Sequence, residues 1–227
     1  MRMPFELFVA LRYLFSRRKQ TFIYIISIMS ILGVALGVGA LVVVLGVYNG
    51  LTTDMRDKII GANAHGIVMS YVPAAFQQHP DLVRRVEAVE HVRGATPFIY
   101  TEVMLSAAGG VKGLVLRGID PESAPKVLSM LREIRRSSVA DLKREGTPGI
   151  VIGEELAKRL GIGLGSRVNL LSPSGEKGAT GYSPRIRPFE VVGIFKTGMF
   201  EYDATLAFVD LKAARDILGL PDGFLTG

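Results

Sequence analysis

Residues 22–47 read FIYIISIMSILGVALGVGALVVVLGV, without a charged side chain and without a polar face, and the pattern changes only after Gly50. At about 1.5 Å of rise per residue, a helix over this run is roughly 39 Å long, more than the roughly 30 Å hydrocarbon layer of a bilayer. A helix in a soluble core is seldom apolar all round for such a length. The run therefore predicts a transmembrane helix that continues to about Ile60, with Asp54, Arg56, Asp57 and Lys58 marking the return to water. Ahead of it, Phe5, Leu7, Phe8, Leu11, Leu14 and Phe15 recur at helical spacing beside Arg12, Arg17 and Arg18. That spacing fits either a short helix in the inner interface or a downward continuation of the membrane helix.

Beyond the helix the periodicity shortens and breaks often, which predicts a mixed α+β domain. Strands are expected at residues 67–71, 92–107, 111–118, 150–152, 167–171, 189–195 and 205–209, the second and third forming a hairpin around Gly109 and Gly110. Helices are expected at 81–88, at 154–160 with a stop near Gly161, and at 211–218. Residues 120–137, with Pro121 and Pro125 early and then Val127, Leu128, Leu131 and Ile134, read as a turn that becomes an amphipathic helix. Residues 172–188 carry Gly175, Gly178 and Gly181 together with Pro173, Pro184 and Pro188, and read as a long loop between paired strands. A connection of that length is more often functional or disordered than a mere link.

Two features of the membrane helix suggest partners. Gly33 and Gly37 form a G-x-x-x-G pair, which lets another helix approach closely. Near the outer end Val44, Val47, Tyr48 and Leu51 fall at i, i+3, i+4 and i+7 and so share one face. In the 172–188 segment, Lys177, Arg185 and Arg187 outnumber the one acid, Glu176, while Tyr182 and Ile186 offer apolar contact beside Pro184. That inventory suits a docking loop for a soluble partner, with apolar anchors and basic residues that steer the encounter.

Charge changes the picture in one respect. The net charge is +6, but Arg2, Arg12, Arg17, Arg18 and Lys19 set against Glu6 already supply +4 of it before the membrane helix. Basicity placed there follows the positive-inside rule, so residues 1–20 are expected in the cytoplasm, 21–50 in the membrane, and 51–227 outside. The argument for a nucleic-acid partner disappears with it. A cleavable signal peptide would have an apolar region of only about 7–15 residues, so the segment reads as an uncleaved anchor.

Catalytic and metal chemistry finds no footing. The chain has no cysteine, which removes disulfides, thiolate metal sites and thiol catalysis. Neither G-x-x-x-x-G-K-[ST] nor G-x-G-x-x-G occurs, so nothing cradles a nucleotide phosphate. His65, His79 and His91 lack ligand spacing, and Glu154 with Glu155 is explained by a helix start. The expectation is a non-enzyme with no cofactor and no metal.

FVALRYLFSRRKQTFIYIISIMSILGVALGVGALVVVLGVYNGL, residues 8–51, resembles the first membrane helix of the LolC and LolE family, within the wider MacB-like group. VIGEELAKRLGIGLGSRVNLLSP resembles a signature of that group's extracytoplasmic domain. The resemblance implies one N-terminal transmembrane helix followed by a MacB-like extracytoplasmic domain of two subdomains. It also implies a membrane subunit of an ABC transporter that extracts outer-membrane lipoproteins from the bacterial inner membrane and hands them to a periplasmic carrier. Expected partners are a separate ATP-binding subunit (LolD-like), a second membrane subunit, identical or paralogous, a LolA-like carrier, the lipoprotein and membrane lipid. By the same resemblance the face with Val44, Val47, Tyr48 and Leu51 would line the cavity for the lipoprotein's acyl chains, and residues 172–188 would be the carrier-holding hook. The family's later membrane helices and ATPase-coupling loop are not in the sequence, which reads as an N-terminal fragment. Whether it is LolC-like, LolE-like or a single subunit serving both roles stays open. So do a MacB-type exporter, an FtsX-type regulator and a single-pass sensor or scaffold.

Overall fold

A computed structural model of the chain describes residues 5–14, 21–69, 81–132, 134, 139–144, 146–178 and 181–227. The chain divides into two compact units, Met1–Met55 and Arg56–Gly227.

The first unit holds α1 (Phe5–Leu14) and most of α2 (Thr21–Ala62). Among the described residues, α2 is the one helix long and apolar enough to cross a membrane. Its large side chains are exposed within this chain, Val34, Leu36 and Val38 among them. In water those apolar side chains would carry a heavy penalty, and in hydrocarbon they carry none, while the helix pairs the backbone groups along its length internally.

The second unit is a closed barrel of six strands: β1 (Phe98–Ala107), β2 (Gly110–Ile119), β3 (Gly149–Gly153), β4 (Arg167–Gly178), β5 (Gly181–Phe195) and β6 (Leu206–Asp210). Their spatial order is β1-β2-β6-β3-β5-β4. β1 and β2 pair as an antiparallel hairpin from Phe98↔Ile119 to Ala107↔Gly110. β2 runs parallel to β6, and β3 parallel to β5. The barrel closes through a short antiparallel contact, Met104↔Leu171 to Ser106↔Asn169. The remaining helices are α3 (Leu82–Glu87), α4 (Ala124–Val127), α5 (Glu154–Leu160), α6 (Phe200–Thr205) and α7 (Leu211–Leu218).

Alternation along the strands divides the core. Val103, Leu105, Leu116, Leu170 and Phe189 join Leu156 of α5 and Ile217 of α7 in one cluster. Leu131, Val151, Leu206, Phe208 and Phe195 form a second, with Phe195 and Phe208 edge to face at 5.5 Å between ring centres. β3 is buried on both faces, as its uninterrupted apolar run requires. It ends at Gly153, where a Cβ would strike the backbone of Asp203, so the closest approach of β3 and α6 depends on glycine.

Where local signals are strong the elements match expectation. α5 stops at Gly161, which takes the left-handed φ of 63° that a side chain disfavours. Ile162 N–H then bonds back to Ala157 O at 3.1 Å. α7 starts with the Asp210 carboxylate accepting from Lys212 N–H and ends at Gly219 with φ 66°.

Four expectations change. Ile67–Met69 lies in no strand, and residues 70 and 71 fall outside the described set. β1 begins at Phe98 rather than residue 92, after Pro97. Residues 120–137 do not form one helix: α4 is four residues long, and after Leu128, in an extended conformation, a separate 3-10 turn covers Ser129–Arg132. Pro125 can serve only a first helical turn, which leaves α4 little to build on, and residues 133 and 135–138 are outside the described set.

The largest difference concerns residues 172–188, of which 172–178 and 181–188 are strand rather than loop, while 179 and 180 fall outside the described set. β4 and β5 pair past the barrel to Glu176↔Ser183, Lys177↔Tyr182 and Gly178↔Gly181. One irregularity between Ser172 and Glu176 places residues 173–175 opposite Pro184. Proline, lacking a donor, is tolerated at such a bulge, so Pro173 and Pro184 interrupt the ladder only where it is already interrupted.

Candidate functional site

Three regions bear on function. The first is α2. Val44, Val47, Tyr48 and Leu51 are all exposed, and their spacing puts them on one face. Gly33 and Gly37 have open space where a Cβ would stand, so in this chain alone nothing yet uses the close approach they allow. Thr52 Oγ1 donates to Tyr48 O at 2.8 Å, which satisfies the hydroxyl within the helix.

The second region is the hairpin arm. Beyond Leu171, β4 pairs only with β5, and β5 meets β3 only from Glu190 onward. The described residues from Ser172 to Arg185 therefore pair with one another alone. Lys177 and Tyr182 are directly opposed one step from the Gly178↔Gly181 pair. Pro184, Ile186 and Arg187 are exposed, and Ile186 is 57% exposed. Arg185 differs from them: it is half-buried, and its guanidinium occupies the place where a Cβ on Gly219 would go, just past the end of α7. Ile186 is paired with Leu171 and Leu171 with Met104, so a short apolar row crosses three strands at the base of the arm.

The third region was not foreseen. The end of α2, from Arg56, belongs to the same compact unit as the barrel. Asn63 follows it directly. Its Nδ2 donates to Tyr202 Oη at 2.7 Å and to Ile59 O at 3.3 Å, and its Oδ1 accepts from Arg117 Nη2 at 2.9 Å. Ser129 Oγ donates to Gly61 O at 3.2 Å, and Lys58 lies against Gly198. Burial lowers the Arg117 pKa from its ordinary value, and the guanidinium at a high pKa still stays charged. Asn63 and Arg117 also border a cavity of about 1030 Å³ between α3, residues 91–98 and β2.

Two ion-pair groups lie elsewhere on the outer unit. Glu154 sits 2.9 Å from Lys196 and 3.5 Å from Lys158, and the first of these contacts is the main cause of its lowered pKa. Lys143 lies 3.3 Å from both Asp120 and Glu122. Among the described residues, no group of three or more His, Cys, Asp or Glu converges as a metal site would.

Comparison with known proteins adds the following. The model of the MacB-like periplasmic core domain family matches residues 27–224. The lipoprotein-releasing system transmembrane protein LolC of Neisseria meningitidis serogroup B is 33% identical over 210 residues, which is 92% of this chain and 50% of that protein. LolE of Haemophilus influenzae, the lipoprotein-releasing system transmembrane protein, is 24% identical over 231 residues, all of this chain and 54% of that protein. The chain thus spans about half the length of the curated relatives it matches. Among solved structures, the periplasmic region of MacB from Actinobacillus actinomycetemcomitans aligns with a TM-score of 0.45 at 12% identity, covering 69% of this chain and 64% of that one.

Proposed function

Since the chain belongs to the MacB-like periplasmic core domain family, in its LolC and LolE branch, we propose that it acts in a membrane subunit of a lipoprotein-releasing ABC transporter. In this reading α2 lies in the bacterial inner membrane with residues 1–20 cytoplasmic, and residues 51–227 are periplasmic. The subunit is non-catalytic, and a separate ATP-binding chain supplies the energy. It extracts lipoproteins destined for the outer membrane and passes them to a soluble carrier.

The observation that carries the reading is the arm. A self-paired hairpin, joined to the barrel only at its base, presents exposed Pro184, Ile186 and Arg187 on a chain with one membrane-length helix among the described residues. Lys177 and Tyr182 stand near the arm's end and complete the docking set, with Arg185 at its base. On α2, the face with Val44, Val47, Tyr48 and Leu51 meets the lipoprotein's acyl chains. Gly33 and Gly37 meet a helix of the second membrane subunit, identical or paralogous.

The test follows from the register. Ser172 and Arg185 are direct partners, so replacing residues 173–184 by Asn-Gly gives a two-residue hairpin that keeps the base paired. In the assembled transporter, this change should abolish carrier binding and lipoprotein release while ATP hydrolysis persists. Undiminished carrier binding with normal release would refute the docking role.

A further inference from the structure

Asn63 joins three elements that are distant in sequence. It ties the last turn of α2, through Ile59 O, to α6 through Tyr202 and to β2 through Arg117. An amide is suited to this task because it donates twice and accepts at once, and here all three capacities are used. The seat is reinforced where Ser129 Oγ bonds Gly61 O, and where Lys58 rests on Gly198, in the loop that Asp203 anchors. A hinge would be built from few contacts and exposed backbone bonds, whereas this junction has a bond from each of three surrounding segments.

We infer that Asn63 is a positioning residue that clamps the last turns of α2, which from Arg56 belong to the outer unit, onto the barrel. The inference rests on the transporter reading, in which movement of the membrane helix must reach the carrier-docking domain. If the clamp is loosened, energy is still spent at the ATPase but less of the movement reaches the outer unit.

The experiment measures lipoprotein released per ATP hydrolysed in the assembled transporter. Tyr202→Phe should lower that ratio by roughly fivefold, the change expected when one ordinary hydrogen bond is lost from one of two competing states, and Asn63→Ala, which removes three bonds, should lower it further. Basal ATP hydrolysis and recovery of the complex should stay as in the parent. Tyr202→Phe keeps the ring and removes only the hydroxyl, so it carries the test if Asn63→Ala assembles poorly.

A second arm separates a rigid clamp from a flexible one. A Cβ on Gly61 would lie 3.0 Å from Ser129 Oγ, about the separation between one Cβ and the partner sulfur when S–S is roughly 2.05 Å, so Gly61→Cys with Ser129→Cys can bridge. Residues 1–227 contain no cysteine, so within them this pair has no competitor. Oxidising it should leave release intact in the parent and restore the ratio in Asn63→Ala. Normal coupling in both single variants, arrest of release by the disulfide in the parent, or failure of the disulfide to restore Asn63→Ala would each overturn the inference. If the parent complex released no lipoprotein at all, the transporter reading itself would fail, which is a different result.

Discussion

Replacing Asp203 with alanine should loosen the outer unit at the loop that carries Gly198. The residue is 3% exposed. Its Oδ1 accepts from Thr197 N–H and from Thr197 Oγ1, both at 2.8 Å, and its Oδ2 accepts from Gly198 N–H at 3.2 Å. Bonds to a charged acceptor contribute about 1.5–3 kcal/mol each, but water can replace part of that here because the donors are only partly buried. A loss of about 2–4 kcal/mol for all three is therefore expected. In a unit of this size it corresponds to a fall in Tm of about 5–12 °C.

Asp203→Asn provides the control. The amide keeps an oxygen for Thr197 but sets an NH2 group against the Gly198 N–H, so its loss should fall between alanine and the parent. The assay is thermal unfolding of the whole chain in detergent, followed by near-ultraviolet dichroism of tyrosine, because the chain has no tryptophan and α2 dominates the far-ultraviolet signal. An alanine variant within about 1 °C of the parent would refute the reasoning. So would an asparagine variant as damaged as alanine, since that would point to packing around α6 rather than to the three bonds.

Two further predictions concern charge and lipid contact. Burial on its own would raise the Asp120 pKa, but hydrogen bonds from Ser123 and Lys143 outweigh it and hold the value below the ordinary one. Its stabilising contribution is therefore present above the unfolded pKa of about 3.9 and is lost as pH falls through the folded value. Lys143→Met should reduce stability at pH 7 and match the parent at pH 2, and a pH-independent difference would count against the ion pair. Photo-crosslinkers at Val47 and Tyr48 in the assembled transporter should capture lipoprotein, whereas capture solely from Val42 and Asn49, on the opposite face of α2, would sink the assignment of that face.

What the sequence revealed of the fold depended on how local each cause is. Gly161 and Gly219 end their helices through their own φ, and Asp210 caps α7 two residues away, so α5 and α7 could be read almost to the residue. Barrel closure could not, because it joins Met104 to Leu171 and nothing at either position announces the other. The Asn63 clamp was hidden for the same reason. Its partners lie 54 and 139 residues away, and an isolated asparagine after a helix reads as an ordinary stop.

The arm failed to show itself for a different reason, and the correction strengthens the docking proposal. Strand signals rest on side chains, on β-branched and aromatic residues in alternation, whereas the pairing that makes this arm uses only backbone groups. Glycine and proline density therefore concealed a ladder that tolerates both, with Pro173 and Pro184 gathered at one bulge. A free loop would lose most of its conformational freedom on meeting a partner, at about 1–2 kcal/mol for each residue fixed. A paired hairpin has already lost it. Arg185 also takes a new place in this account. Its guanidinium packs beside Gly219, where the last carbonyls of α7 favour a cation, so it braces the base of the arm and the steering charge falls to Lys177 and Arg187. With the base braced and the strands paired, Pro184 and Ile186 are held at set positions, and an apolar anchor that is already in place binds at lower cost than one that must first be ordered.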